Sequence, residues 1–444
     1  MRKAELELAG WGRFPRARSE AARPERFAEA VAGFVTSSAE NGICLYGAGR
    51  SYGDCALNAG GTTLITGRLD RILAFDAETG IVQLEPGVDY RRLLDVFLPR
   101  GWLAPVTPGT SLATIGGAVA LDVHGKNHER DGSLGQHVTE LDLVLADGSR
   151  RTVTPQDGDL FRATVGGLGL TGFITRVALR LARVPGGQVR VREHRCADLE
   201  AFIAALQDAA GAAYTVGWID GAARGATLGR GILQTAEPIP GDFAQPPERS
   251  RRVPVDFPAA ALNRFSIAAF NEAYFRRVPA EGRTRDTAWR TFLYPLDAIH
   301  DWNRIYGRRG FVQFQCVVPF EAGARALRGL LEVISASHKA SFLAVLKRIG
   351  AGRAGFLSFP MPGYTLALDF PRGPGIEDLY ARLCAMTLDA GGRVYLAKDA
   401  LLDAASFRRM YPEFPHFAAV RRAADPDCRI RNDMARRLRL QDAA

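Results

Sequence analysis

Short apolar runs closed by turns open the chain. Ile43 to Tyr46, Thr63 to Ile65, Ile72 to Phe75 and Ile81 to Glu85 each end at glycine-, proline- or aspartate-bearing turns, which predicts a meander of short strands and hairpins. The period then changes. In Tyr90 to Leu98 the residues Leu93, Leu94 and Phe97 fall at helical spacing, and Pro99-Arg100-Gly101 stops the run. Strands return at Glu140 to Ala146 and Phe173 to Leu181, so the layout is α+β and not alternating βαβ.

Beyond Pro185-Gly186-Gly187 the pattern shifts. A helix over Leu199 to Ala210 and a strand over Tyr214 to Asp220 are expected to open a second domain, followed by a mobile Pro/Arg-rich loop from Glu237 to Pro258. Phe292-Leu293-Tyr294-Pro295 is expected to precede a helix. Phe311 to Val318 alternates, placing Gln313 and Gln315 on one strand face and Phe314 and Cys316 on the other. Taken alone, such a pair reads as an exposed sheet face. A final helix is expected over Asp433 to Leu440. At 444 residues the chain exceeds what one core usually holds. The expected division is 1–186, 187–392, and a return of 393–444 to the first domain.

Composition narrows the class. With 47% hydrophobic and 24% charged residues the chain reads as a soluble globular protein. Six scattered cysteines without a Cys-x-x-Cys argue against a disulfide framework or a structural zinc site, and a reducing compartment is the simplest home. The N-terminus carries acids where a signal peptide needs apolar residues, and no window approaches eighteen apolar residues. A cytoplasmic location follows as the expectation. The net charge of +9 is spread along the chain, the pattern of a solvated surface and not of a nucleic-acid-binding stripe.

Candidate chemistry gathers in glycine-rich loops. The first is Leu45-Tyr46-Gly47-Ala48-Gly49-Arg50-Ser51-Tyr52-Gly53-Asp54-Cys55, where backbone N-H groups could converge on a pyrophosphate and Asp54 could pin the loop or accept from a ribose. It is neither a Gly-x-Gly-x-x-Gly fingerprint nor a Walker loop. The second runs through Pro108-Gly109-Thr110 and Thr114-Ile115-Gly116-Gly117 to Asp122-Val123-His124-Gly125-Lys126-Asn127-His128, where Gly-Gly suits either close approach to a flat ligand or plain helix packing. The third, Gly166-Gly167-Leu168-Gly169-Leu170-Thr171-Gly172, enters a strand.

Three such clusters in this order resemble the FAD-binding domain of the vanillyl-alcohol oxidase / p-cresol methylhydroxylase superfamily. The sequence His124-Gly125-Lys126-Asn127-His128, with Ser358-Phe359-Pro360, Leu396-Ala397-Lys398-Asp399 and Asp433 to Leu438, resembles the decaprenylphosphoryl-β-D-ribose 2′-oxidase family over nearly the whole chain. The resemblance implies a two-lobed PCMH-type FAD-binding domain and a substrate domain built on an antiparallel sheet with flanking helices. It implies that Leu45 to Cys55 hold the pyrophosphate, that Gly109, Thr110, and Thr114 to Gly117 line the dinucleotide, and that Leu121, Asp122, Val123 and His124 lie along the isoalloxazine, with Ile174 and Tyr395 completing the site. Relatives that bind flavin covalently use a histidine in the first loop; Arg50, Ser51 and Tyr52 here imply non-covalent FAD.

For the substrate, the resemblance brings Gln313 and Gln315 to the flavin and places Trp218, Lys347 and Thr365 around the pocket. Oxidising a sugar hydroxyl calls for a cation to stabilise the negative charge that hydride transfer brings to the ring. Lys398 is the candidate, because lysine is scarce here and an apolar strand is expected around it. Lys126 and Tyr294 would orient ribose or phosphate, and His124 and Tyr52 are candidates for the base. Mycobacterial members carry a cysteine where this chain has Ala367, which implies that turnover needs no thiol there. Expected partners are a lipid-linked sugar, a short-chain reductase completing an epimerisation, and the membrane surface, with no nucleic acid. The rival reading is an FAD-dependent oxidase of a soluble sugar, alditol or aldonolactone.

Overall fold

The computed structural model describes residues 2–37, 40–246, 250–339 and 341–441. Among these, three large sheets organise the chain. The first has the order Lys3–Ala9, Arg16–Ala22, Thr62–Ile65, Ile43–Tyr46, an antiparallel N-terminal hairpin extended by two parallel strands. The second is antiparallel throughout, in the order Ile72–Phe75, Ile81–Leu84, Phe173–Arg180, Val138–Val144, Arg150–Val153. The expected meander is thus split. Thr62–Ile65 joins the first sheet beside Ile43–Tyr46, because its fully buried residues need cover on both faces, as strands of parallel pairing do.

The third sheet carries the substrate half. Its order is Arg283–Ala288, Gln188–Cys196, Gly231–Ile239, Tyr214–Ile219, Ala344–Ile349, Gly363–Pro371, Phe311–Pro319, Arg393–Val394, all antiparallel. Helices Leu199–Asp208, Phe320–Ser337 and Ile376–Asp389 bury Phe202, Leu327, Leu331, Tyr380 and Leu383 in the core shared with Phe314 and Cys316 of the sheet. That packing takes the apolar face of Phe311–Pro319 and leaves Gln313 and Gln315 on the opposite one.

Several expectations shift in detail. The strand Gly231–Ile239 runs into the segment expected to be a loop from Glu237, and Pro247, Glu248 and Arg249 lie outside the described residues. Phe292 and Leu293 end a helix, Trp289–Leu293, and only a short 3-10 turn, Pro295–Ala298, follows. The final helix is shorter than expected, Asp433–Arg437. Lys398 sits in a turn, with its N-H bonded to Tyr395 O, not in a strand. All six cysteines are free thiols.

The C-terminal segment fastens the halves together. Arg393–Val394 pairs with Cys316 and Val317 at the edge of the large sheet, and the chain then crosses to the first sheet, where Ile430 bridges Ile43. There Arg437 grips Asp54 through both carboxylate oxygens (2.7 and 2.8 Å) and also meets Asp399 at 2.9 Å. Both carboxylates are buried; Arg437 supplies the charge that pairs them, and Asp399 accepts in addition from the Tyr380 hydroxyl, Leu401 N and Leu402 N.

Candidate active site

A cavity of about 370 Å³ lies between the glycine loops and the polar face of the large sheet. The first loop contributes Leu45, Gly47, Ala48, Gly49, Arg50, Ser51, Tyr52 and Cys55 to its wall. The second contributes Gly109, Thr110, Thr114, Gly116, Gly117, Leu121, Val123 and His124, and Ile174 follows the third. Gln313, Gln315, Lys347, Thr365 and Ala367 come from the sheet, and Tyr395 and Lys398 from the return segment.

Strand register explains the sheet side. Gln315 stands opposite Ala367, Gln313 opposite Asp369, and Lys347 opposite Thr365. Directly opposed residues of an antiparallel ladder share a face, so these side chains project together. Backbone geometry explains the loop side. Gly49 has φ +64°, and a Cβ there would lie 2.0 Å from the Tyr46 hydroxyl, which donates to Ala9 O at 2.9 Å. A Cβ on Gly47 would meet Thr114 Oγ1 at 2.4 Å. The same oxygen caps the helix Ile115–Ala120 by accepting from Gly117 N. Thr114→Ala is therefore expected to cost about 1 kcal/mol, the usual worth of an N-cap, read as a lower urea midpoint; an unchanged midpoint would show that the long 3.4 Å contact contributes nothing.

Arg50, Lys347 and Lys398 line the cavity together with Asp297 and Asp301. Burial draws the Lys398 ammonium below its ordinary range while the Asp369 carboxylate pulls it back, and its Nζ rests 3.6 Å from the centre of the Tyr52 ring. Asp369 is itself buried, which raises its proton affinity, and is held by Gln313 and by Tyr306 at 3.0 Å. Burial lowers Lys347 to about 8. Burial and then the nearby Lys347 hold His124 well below the usual imidazole range, so the ring is neutral. Gln315 Nε2 donates to Thr365 Oγ1 (3.2 Å) and to His124 Nε2 (3.1 Å), which leaves the imidazole proton on Nδ1. Burial raises the Tyr52 phenol well above its normal value. Both candidate bases therefore keep a proton and act as donors.

The residues present suit FAD. Arg50 Nε and His124 Nδ1 are buried without a hydrogen-bond partner, and Lys347 and Lys398 have no carboxylate within ion-pair distance among the described residues. A polyanionic dinucleotide with a polar ring system satisfies such a donor set. The Arg50 guanidinium is already positioned 4.4 Å above the Trp11 ring.

Not every expected residue reaches the wall. Tyr46 supports Gly49 from behind, Gly53 closes onto Asp399 O, and Ile115 is fully buried under the helix. Asp54 pins the loop through Arg437 instead of facing a ribose. Asp122, at φ +40°, turns inward and bonds Ser133, Gly135 N, Ala354 N and Ser358, joining both halves beneath the cavity. Lys126 is drawn to about 7 by burial and donates to Phe292 O beneath that ring. Tyr294 is buried near Thr107, and Trp218 spends its N-H on Phe342 O at 3.0 Å. These three lie behind the wall, because each satisfies its polar atom locally.

Other residues reach the site unannounced. Asp297 binds Thr110 Oγ1 (2.8 Å), Ser111 N and Ser111 Oγ (both 2.6 Å), and so fixes the second loop from the substrate half. Asp369 was readable in principle, since it continues the two-residue period of Thr365 and Ala367. Asp297 and Trp11 had no local signal.

Comparison with known proteins agrees with this arrangement. Residues 26–154 match the family model of an FAD binding domain, and residues 308–438 that of D-arabinono-1,4-lactone oxidase. The chain is 36% identical over 451 residues to decaprenylphosphoryl-β-D-ribose oxidase of Mycolicibacterium smegmatis, covering 98% of this chain and 97% of that one. It is 25% identical to L-gulono-1,4-lactone dehydrogenase of Mycobacterium tuberculosis over 434 residues, 94% and 95% of the two chains. A putative D-arabinono-1,4-lactone oxidase of Neurospora crassa matches at 32% over 112 residues, 25% and 20% of the two chains.

Proposed function

The chain belongs to the decaprenylphosphoryl-β-D-ribose oxidase family and is an FAD-dependent oxidoreductase; from that premise we propose that it oxidises the 2′-hydroxyl of a polyprenylphosphoryl-β-D-ribose to the 2′-keto sugar. This is the first half of an epimerisation toward an arabinose donor for cell-envelope glycan. The observation that carries the reading is the 36% identity over 98% of this chain, beside a cavity lined by both the glycine loops and the polar sheet face.

The three glycine loops would hold FAD, which when bound would supply the acceptor for a hydride from C2. The chain's own groups do the rest. Gln313 and Gln315 present amides to the sugar, the first steadied by Asp369 and the second by Thr365. Lys398 supplies positive charge in a dry cavity wall, where it is worth more than in water. With Lys126 and Tyr294 behind the wall, Lys347 is the cation left to meet the sugar phosphate. His124 and Tyr52 serve as orienting donors. Ala367 leaves the sheet face without a thiol and widens the space above it.

The division into 1–186, 187–392 and 393–444 belongs to this reading, as do a short-chain reductase partner and a cytoplasmic, membrane-peripheral location. No described helix is long and apolar enough to cross a membrane. FAD is held non-covalently in this reading, since the first loop offers Arg50, Ser51 and Tyr52 but no histidine. The purified protein is expected to be yellow, and acid precipitation to leave the colour in the supernatant. Colour in the pellet would mean a covalent bond.

The second reading, oxidation of a soluble sugar or aldonolactone, is favoured by the match of residues 308–438 to a lactone oxidase. Product trapping separates the two. Borodeuteride reduction after turnover of polyprenylphosphoryl ribose should give ribose and arabinose epimers labelled at C2. Unlabelled ribose alone would count against 2′-oxidation.

A further inference from the structure

A strongly charged cluster lies apart from the cavity, on the outer strands of the large sheet. Glu193 is buried there and accepts from four side chains at once. Arg283 reaches it through Nε at 2.8 Å and also through Nη2, Arg277 through Nη2 at 3.2 Å, Arg285 through Nε at 3.3 Å, and Gln234 through Nε2 at 2.5 Å. Strand register brings them together. Glu193 stands opposite Arg283 on one side and Gln234 on the other, and Arg285 is two residues along the same face as Arg283. Arg277 follows the helix Arg264–Arg276 and lies 4.1 Å above the Tyr274 ring.

Charge in this cluster does not balance. One carboxylate neutralises one guanidinium, and three surround it. Arg195, two residues on from Glu193, adds a fourth, whose N-H groups go to the carbonyls of Val278 and Arg276. None of the four has another carboxylate partner among the described residues. The neighbouring acids are already paired, Asp220 and Glu272 with Arg230 and Asp286 with Arg190. The excess is felt inside the protein as well, where burial first, and then Lys347 and Arg285, lowers the proton affinity of Lys126. Gathering like charges in a half-buried place is costly unless an anion shares it.

The unused donors indicate which anion. Arg285 spends only Nε on Glu193, which leaves both of its Nη groups, and Arg283 leaves Nη1. Guanidinium forks match the oxygens of phosphate. The three arginine side chains are 32–35% exposed and that of Glu193 is 0% exposed, so the donors sit in a recess that a small ion enters and a flat surface does not. Glu193 stands three strands from Lys347, about 14 Å at about 4.8 Å per strand, so a phosphate joined directly to a sugar in the cavity does not reach it.

We propose that Arg277, Arg283 and Arg285, gathered on Glu193, form a second binding site, outside the substrate cavity, for a small soluble oxyanion of phosphate type. The site is independent of the substrate assigned above.

Equilibrium dialysis of the FAD-loaded protein against radiolabelled inorganic phosphate, at fixed ionic strength in chloride, tests it. The wild type should bind phosphate without any shift of the flavin absorbance band. Arg285→Gln leaves Glu193 paired with Arg277 and Arg283, and should bind at least about tenfold more weakly, since a charge-assisted contact is lost. Glu193→Gln removes the one competing anion and should bind at least about tenfold more tightly, with phosphate raising its Tm by more than it raises that of the wild type. Should Glu193→Gln fail to fold, the comparison of Arg285→Gln with the wild type decides alone. No binding by the wild type, or equal affinity in Arg285→Gln, overturns the inference. So does a flavin band that shifts as phosphate binds, which would place the ion in the cavity.

Discussion

Lys398→Met is expected to keep FAD bound and to lose about 10²-fold or more in the rate of flavin reduction by substrate, the usual result of removing one preorganised electrostatic contact. Methionine nearly matches the length of lysine, so the wall keeps its shape and the contact with the Tyr52 ring while the charge disappears. The structure gives the charge little else to do. Lys398 has no ion-pair partner within reach among the described residues, it faces the cavity, and Asp369 favours its charged form against burial. A buried cation in this position is held there at a cost in desolvation, which makes sense if its return comes as negative charge develops in the cavity. Lys398→Arg should retain part of the rate if charge outweighs shape. A wild-type rate in Lys398→Met would remove the residue from the mechanism.

Gly49→Val is expected to purify with little flavin. Two effects add. The φ of +64° is a region that β-branched residues enter at a cost of about 1–3 kcal/mol, and the new Cβ would sit 2.0 Å from the Tyr46 hydroxyl. Relief of that clash must break the Tyr46 bond to Ala9 or shift the loop, and Gly47 to Tyr52 form an unbroken stretch of cavity wall. Strain of this size corresponds to roughly tenfold to hundredfold weaker FAD binding. Gly67→Ala, where a Cβ meets nothing within 4 Å, should purify with full flavin. The ratio of flavin to protein absorbance reads both variants, and full occupancy in Gly49→Val would place the cofactor elsewhere.

What could be read from the sequence depended on range. The two-residue period of Phe311 to Val318 places Gln313 and Gln315 correctly, because strand geometry alone decides which side chains share a face. The glycine loop was legible for the same local reason. Its role for Asp54 was not, since the deciding partner, Arg437, lies 383 residues away. Asp122, Lys126, Trp218 and Tyr294 were expected at the wall and stand behind it. Loop membership says that a residue is near a site, and only packing says which way it turns. The N-terminal hairpin was unanticipated, although Glu5 and Glu7 alternate with Leu6 and Leu8. Its residues are mostly exposed, so the alternation carries little burial.

The central claim, that the protein oxidises a lipid-linked ribose and not a free polyol or lactone, is tested most directly by anaerobic stopped-flow mixing, followed at the flavin absorbance band. Polyprenylphosphoryl-β-D-ribose should bleach the band, while ribitol, xylitol and L-gulono-1,4-lactone at the same concentration leave it oxidised. Equal bleaching by any of the soluble compounds, or none by the lipid-linked sugar, would contradict the account.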